Sequence, residues 1–123
     1  MTSRIKILLV EDEAITVMAL KLELDQAGFH VVGSAASGEE TLSAIARERP
    51  DIILMDMRLM GTMSGLDTAE RIRQTDPIPI VFMTGYPDSE LIARVSEMGS
   101  AAYVVKPVTI EALKTAIETV LMK

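Results

Sequence analysis

Asp56 closes the stretch "PDIILMD" (50–56), in which Ile52 to Met55 form an unbroken apolar run. A carboxylate at the lip of a buried strand is costly unless it is solvated, paired or bound to a cation. Three other apolar runs end in comparable fashion. "RIKILLV" leads into Glu11, Asp12 and Glu13, "IPIVFM" into Thr84, and "AAYVV" into Lys106 and Pro107. Carboxylates ~5 Å apart at an effective dielectric of ~20 repel by roughly 3 kcal/mol per pair, so such a group needs positive charge. Lys106 offers one charge. Hard oxygen donors without histidine or cysteine favour Mg²⁺, which keeps several waters and takes only one or two carboxylates. A partly hydrated ion of this kind is suited to a phosphoryl group. Asp56 is then either a metal ligand alone or a nucleophile that becomes an aspartyl phosphate. In the second case Lys106 and the Thr84 hydroxyl would serve the phosphoryl oxygens, and Gly85 leaves the approach open.

These residues share a site only if the elements before them end on one edge. Strands are predicted over 4–10, 29–36, 52–55, 78–83 and 101–106. Between them lie helical patterns. Ile15, Met18 and Leu22 mark the first stripe, ended by Gly28. Ser37 and Glu40 form a capping box for the second, with Leu42, Ile45 and Ala46 inward and Pro50 as the stop. Leu66, Ala69 and Ile72 mark the third helix, and Leu91, Ile92, Val95 and Met98 the fourth. Thr109 caps the fifth, which turns Ile110, Leu113, Ile117 and Val120 inward. Strands alternating with helices at short spacing call for a doubly wound α/β fold, a five-stranded parallel sheet covered on both faces. Ligands of such sheets bind beyond the carboxyl ends of the strands, where the polar residues fall. Periodicity leaves the strand order open.

One domain over 1–123 fits the length. The net charge of −6 argues against general nucleic-acid or anionic-membrane binding, and no run approaches a membrane span. The absence of cysteine excludes disulfides and fits a cytoplasmic protein. Nine methionines and no tryptophan imply a soft aliphatic core. Each polar residue has a plainer reading taken singly: Asp12 as a helix cap, Thr84 as a cap for the next helix, Lys106 as a solvated strand-end charge. Tyr103 reads as edge-strand packing, His30 as a surface residue, and the "RIR" arginines (71–73) as a solvated helix face.

Together, "ILLVEDE", "PDIILMDMRL", "IPIVFMTGY" and "AAYVVKPV" resemble the receiver domain of two-component response regulators along essentially the whole chain. The resemblance implies a flavodoxin-like sheet in the order 2-1-3-4-5 and a phosphoacceptor switch rather than an enzyme with external substrates. Asp56 would take a phosphoryl group from the phosphohistidine of a sensor histidine kinase or phosphotransfer protein. Asp12 would hold Mg²⁺ directly and Glu11 through water, with Asp56 and the backbone carbonyl of Arg58 completing the ligands. Thr84 and Tyr103 would be the switch pair, Lys106 would pair with the phosphoryl group, and the Lys106–Pro107 bond would be cis. The changed face, made by the fourth helix, fifth strand and fifth helix, would regulate an output partner or domain that the sequence does not name, and self-association through that face is a further expectation. The acid pair is Glu-Asp rather than Asp-Asp, and the loop "MRLMGTMSG" lacks the usual proline and runs about one residue longer than the common pattern. Arg58 and Tyr86 are placed to lie over the mouth, where the family tunes phosphoryl lifetime.

Other readings fit less well. A Mg²⁺-dependent phosphatase acting through an aspartyl phosphate would show Asp-x-Asp where this chain has Asp56-Met57-Arg58, and would need a cap. A flavin carrier needs a neutral phosphate cradle where Glu11, Asp12 and Glu13 stand. A receiver-like domain that docks without phosphorylation has no need of the acceptor, threonine and lysine together.

Overall fold

A computed structural model describes residues 4–122; residues 1–3 and 123 of the predicted domain lie outside it. Five strands and five helices alternate: β1 (Lys6–Val10), α1 (Ala14–Gln26), β2 (His30–Ala35), α2 (Gly38–Glu48), β3 (Ile52–Asp56), α3 (Gly65–Arg73), β4 (Ile80–Thr84), α4 (Ser89–Met98), β5 (Ala101–Val105) and α5 (Ile110–Leu121). The strands form one parallel sheet in the order β2-β1-β3-β4-β5. This is the predicted doubly wound architecture.

The central strands are apolar on both faces because helices cover both. Leu9, Leu54, Val81 and Met83 pack with Leu24, Leu113 and Ile117 under α1 and α5. Leu8, Ile53, Met55 and Phe82 pack with Ala44, Leu66, Ile72 and Leu91 under α2, α3 and α4. Ile52 to Met55 are all 0% exposed. Each fully buried side chain of this size is worth about 1.5–3 kcal/mol, so β3 readily carries one buried carboxylate at its end.

Helix starts follow local chemistry. Ser37 accepts from the Glu40 amide at 3.1 Å while Glu40 reaches back to the Ala36 amide, one residue earlier than the ideal box. Ser64, Asp88 and Thr109 cap α3, α4 and α5. Gly28 takes φ +97° just past α1, and Arg49 takes a left-handed φ of 50° before Pro50.

Several inward assignments are corrected. Ile15, Met18 and Leu22 face solvent at 83%, 71% and 59% exposure, and the buried side of α1 carries Leu20 and Leu24, with Val17 partly buried beside them. Both sets have the same i, i+3, i+7 spacing, so periodicity alone does not choose between them. The chain beyond the helix decides: the Val17–Leu24 side runs on into Ala27 and Phe29, which join the core, whereas the other meets Asp25 and Gln26. In α2, Ala46 is exposed and Thr41 is buried in its stead, its hydroxyl donating to the Ser37 carbonyl. Ile92 of α4 is 43% exposed. Arg73 is no solvated charge. Its guanidinium donates to the carbonyls of Ile78, Met98, Gly99 and Ser100 at 2.7–3.0 Å. His30 is exposed, as read.

Candidate functional site: an acidic pocket at the carboxyl edge of the sheet

Strand register assembles the site. Val10 pairs with Met55, Asp56 with Met83, and Thr84 with Val105. Glu11, one residue beyond β1, therefore falls level with Asp56, and Lys106, one beyond β5, stands next to Thr84. Three backbone bonds fix these ends: Glu11 N to Ala35 O at 2.9 Å, Met57 N to Met83 O at 3.2 Å, and Lys106 N to Thr84 O at 2.7 Å. Thr84 is the last residue of β4 rather than the first after it.

Glu11, Asp12 and Asp56 each offer a carboxylate oxygen, and these oxygens lie within 4.8 Å of one another. Glu11 and Asp56 are buried, at 4% and 3% exposure, and Asp12 is exposed. Lys106 Nζ donates to Asp56 Oδ1 at 2.9 Å, and the Arg58 amide donates to the same oxygen at 3.2 Å. Burial first, and then a hydrogen bond shared with Asp56, push the Glu11 carboxyl up to about 7, against a smaller opposing pull from the Glu13 amide. One ammonium is thus too little positive charge for the pocket. Hard oxygens from three carboxylates, with no nitrogen or sulfur among them, form the donor chemistry of Mg²⁺. The residues fit such an ion.

Thr84 is buried and lines one cavity with Asp56, and its Oγ1 accepts from the Tyr86 amide at 3.1 Å. The hydroxyl is therefore not the cap of α4, a task that Asp88 performs. Asp12 is not the cap of α1, whose N-cap residue is Glu13. Tyr86 is 78% exposed, Arg58 is exposed, and both line a cavity of about 580 Å³ with Asp56, Thr84, Leu91 and Lys106. Tyr103 pairs with Phe82 on β5 and packs half-buried against the α2–α3–α4 side of the core, on the neighbouring strand rather than among the site oxygens. The Lys106–Pro107 bond is cis, as expected.

One contributor is not the loop-loosening glycine that its sequence context suggests: Gly65 is the first residue of α3. A Cβ built at Gly65 would collide with the Asp56 carbonyl oxygen and press on Met57 Cα, so only glycine lets α3 start this close to Asp56. The Gly65 amide donates to Met57 O at 3.0 Å across the same contact. A glycine opening a helix directly after a serine cap was the available signal.

A second groove, of about 350 Å³, runs between α1 and the turn at Lys106–Val108, from Ile15 and Leu20 to Glu11 and Lys106. The exposed stripe of α1 begins at this groove.

The family model for the response regulator receiver domain matches residues 7–118, and the chain belongs to that family. Among curated relatives, the transcriptional regulatory protein PdtaR of Mycobacterium tuberculosis is 35% identical over 113 residues, covering 92% of this chain and 55% of PdtaR. The sporulation initiation phosphotransferase F of Bacillus subtilis is 30% identical, with 92% and 90% covered. The chain spans about half the length of relatives such as PdtaR. Among solved structures, the signal receiver domain of a modulated diguanylate cyclase from Desulfovibrio desulfuricans superposes with a TM-score of 0.85 at 31% identity, covering 98% of this chain and 95% of that one. The chemotaxis protein CheY4 of Vibrio cholerae gives a TM-score of 0.83 at 26% identity, with 96% and 99% covered. The protein is thus a two-component receiver domain with a flavodoxin-like fold. Among the described residues no helix is long and apolar enough to cross a membrane.

Proposed function

We propose that the domain is a cytoplasmic switch in which Asp56 accepts a phosphoryl group from the phosphohistidine of a histidine kinase or phosphotransfer protein. The observation that carries this is the buried Asp56 carboxylate held by Lys106 at 2.9 Å within reach of two further carboxylates. An Asp56 oxygen forms a bond to phosphorus as the bond from phosphorus to the donor's imidazole nitrogen breaks, and the electron pair leaves with the nitrogen. Lys106 orients the carboxylate before transfer and turns its ammonium to a phosphoryl oxygen afterwards. Thr84 accepts from Tyr86, which leaves its hydroxyl proton to donate to another phosphoryl oxygen. Asp12, Glu11, Asp56 and the Arg58 carbonyl would hold Mg²⁺, which supplies neutralisation of the phosphoryl charge.

The acquired charge of about −1.5 to −2 biases the α4–β5–α5 face, with Thr84 moving towards the phosphoryl group and Tyr103 turning inward. An output partner or attached domain reads that face. The donor approaches across α1, where Ile15 stands exposed at the groove that leads to Glu11 and Lys106 and Met18 is exposed one turn further on. Incubation with Mg²⁺ and a small phosphodonor adds one phosphoryl group by intact-protein mass spectrometry, and Asp56→Asn abolishes the addition. Equal labelling of that variant removes Asp56 from the role.

A further inference from the structure

Helix α4 is held at two places by two arginines with different partners. At its carboxyl end Arg73 of α3 binds the carbonyls of Met98, Gly99 and Ser100, and also that of Ile78 ahead of β4. These are charge-assisted bonds to backbone oxygens, and the cation sits where a helix dipole favours it. At mid-helix Arg94 faces the opposite way, onto α3. Its Nε donates to Glu70 Oε2 at 2.9 Å, a second nitrogen binds Glu70 Oε1, and the same nitrogen lies 3.5 Å from Asp67 Oδ1. A third nitrogen reaches Glu90 one turn earlier at 3.4 Å. The four side chains are 30–76% exposed, so water and salt screen this group strongly. The end anchor uses backbone carbonyls, and the mid-helix one uses exposed carboxylates that salt can screen.

The mid-helix anchor also lies on the route from Asp56. Asp67 is in the first turn of α3, which Gly65 seats against the Asp56 backbone. The N-cap residue Asp88 and the first turn of α4, with Glu90 and Leu91, line the cavity that Asp56 and Thr84 also line. We propose that Arg94 is a latch: its ion pairs to Glu70 and Asp67 hold α4 against α3 in the resting protein, and the helix swings about the Arg73 anchor when the latch opens. This rests on the receiver reading for what the motion serves, and it assigns the resting position of α4 to residues outside the phosphorylation site.

Amide hydrogen exchange of the full chain tests it, with Arg94→Gln, Glu70→Gln and the double variant. Opening the latch speeds exchange over Ser89–Met98 by about three- to tenfold, while β1, β3 and β5 stay unchanged. The double variant matches Arg94→Gln, which already removes every ion pair of the group, while Glu70→Gln falls between it and the wild type because Asp67 and Glu90 still face Arg94. Salt near 1 M moves the wild type towards the variants. Unchanged α4 exchange in both single variants overturns the latch, as does an equal rise across the whole sheet. Labelling of wild-type Asp56 by a small phosphodonor is scored in parallel. If labelling fails while α4 responds, the phosphoacceptor reading falls and the latch stands; if labelling succeeds while α4 does not respond, the latch falls alone.

Discussion

Replacing Glu11 by glutamine should stabilise the metal-free protein, and by an amount that grows with pH. The buried carboxyl is displaced from an ordinary 4.5 to about 7, chiefly by desolvation and then by its neighbour Asp56. Below about pH 4.5 both the folded and the unfolded chain carry the proton, and the group contributes nothing to the pH dependence. Between 4.5 and about 7 the unfolded chain has released the proton and the folded chain retains it, so stability falls as pH rises. Above about 7 the full penalty is in place. At 1.36 kcal/mol per pH unit the displacement amounts to about 3 kcal/mol, or roughly 10 °C in Tm for a chain of this length. Glutamine has the shape of the protonated acid. It can still accept from the Glu13 amide, which bonds Glu11 Oε2 at 3.0 Å, and its amide can donate towards Asp56. Urea unfolding in chelator from pH 5 to pH 8 reads the difference directly. Every other carboxyl, and His30, is common to both proteins. The curves should converge towards pH 5 and separate by about 3 kcal/mol at pH 8, with Mg²⁺ restoring more stability to the wild type than to the variant. Parallel curves with a constant offset, or a variant less stable at pH 8, would refute the electrostatic account of the pocket.

Two other expectations follow from close contacts and exposed surface. Gly65→Ala should cost about 1–3 kcal/mol in urea unfolding and slow labelling of Asp56, because the added methyl meets the Asp56 carbonyl; a stability equal to wild type would mean that α3 shifts freely. Met18→Glu should lower the ratio of the transfer rate from a phosphohistidine donor to that from a small phosphodonor by roughly tenfold, since Met18 is 71% exposed on the α1 stripe; an unchanged ratio would place the donor elsewhere.

The edge of the sheet was legible because strand ends are where the hydropathy pattern changes most sharply. Asp56 and Lys106 were found from their adjacency to apolar runs, and the structure joins them at 2.9 Å across a sequence separation of 50 residues. The strand order came from the family resemblance rather than from periodicity, which carries no information on neighbours. α1 was misread for a physical reason: with apolar residues on two sides at equal spacing, its inner face is set by where the chain goes next, at Ala27 and Phe29. Arg73 was misread because charge alone does not reveal that a guanidinium will find four carbonyls at the ends of other elements. Gly65 reads as a loop-loosening glycine because its role, an absence of atoms where two segments touch, shows only once those segments are in place.

The placement of the two tyrosines makes the molecule its own optical probe. The chain has no tryptophan, so its ultraviolet emission comes from Tyr86 and Tyr103. Tyr86 is solvent-washed at the cavity mouth, while Tyr103 is half-buried on β5, paired with Phe82 and two residues from the strand's exposed end at Val105. An iodide quencher reaches the first freely and the second poorly. Any turn of the β5 ring into or out of the interior therefore changes the quenchable fraction of the signal, without a dye or an engineered fluorophore.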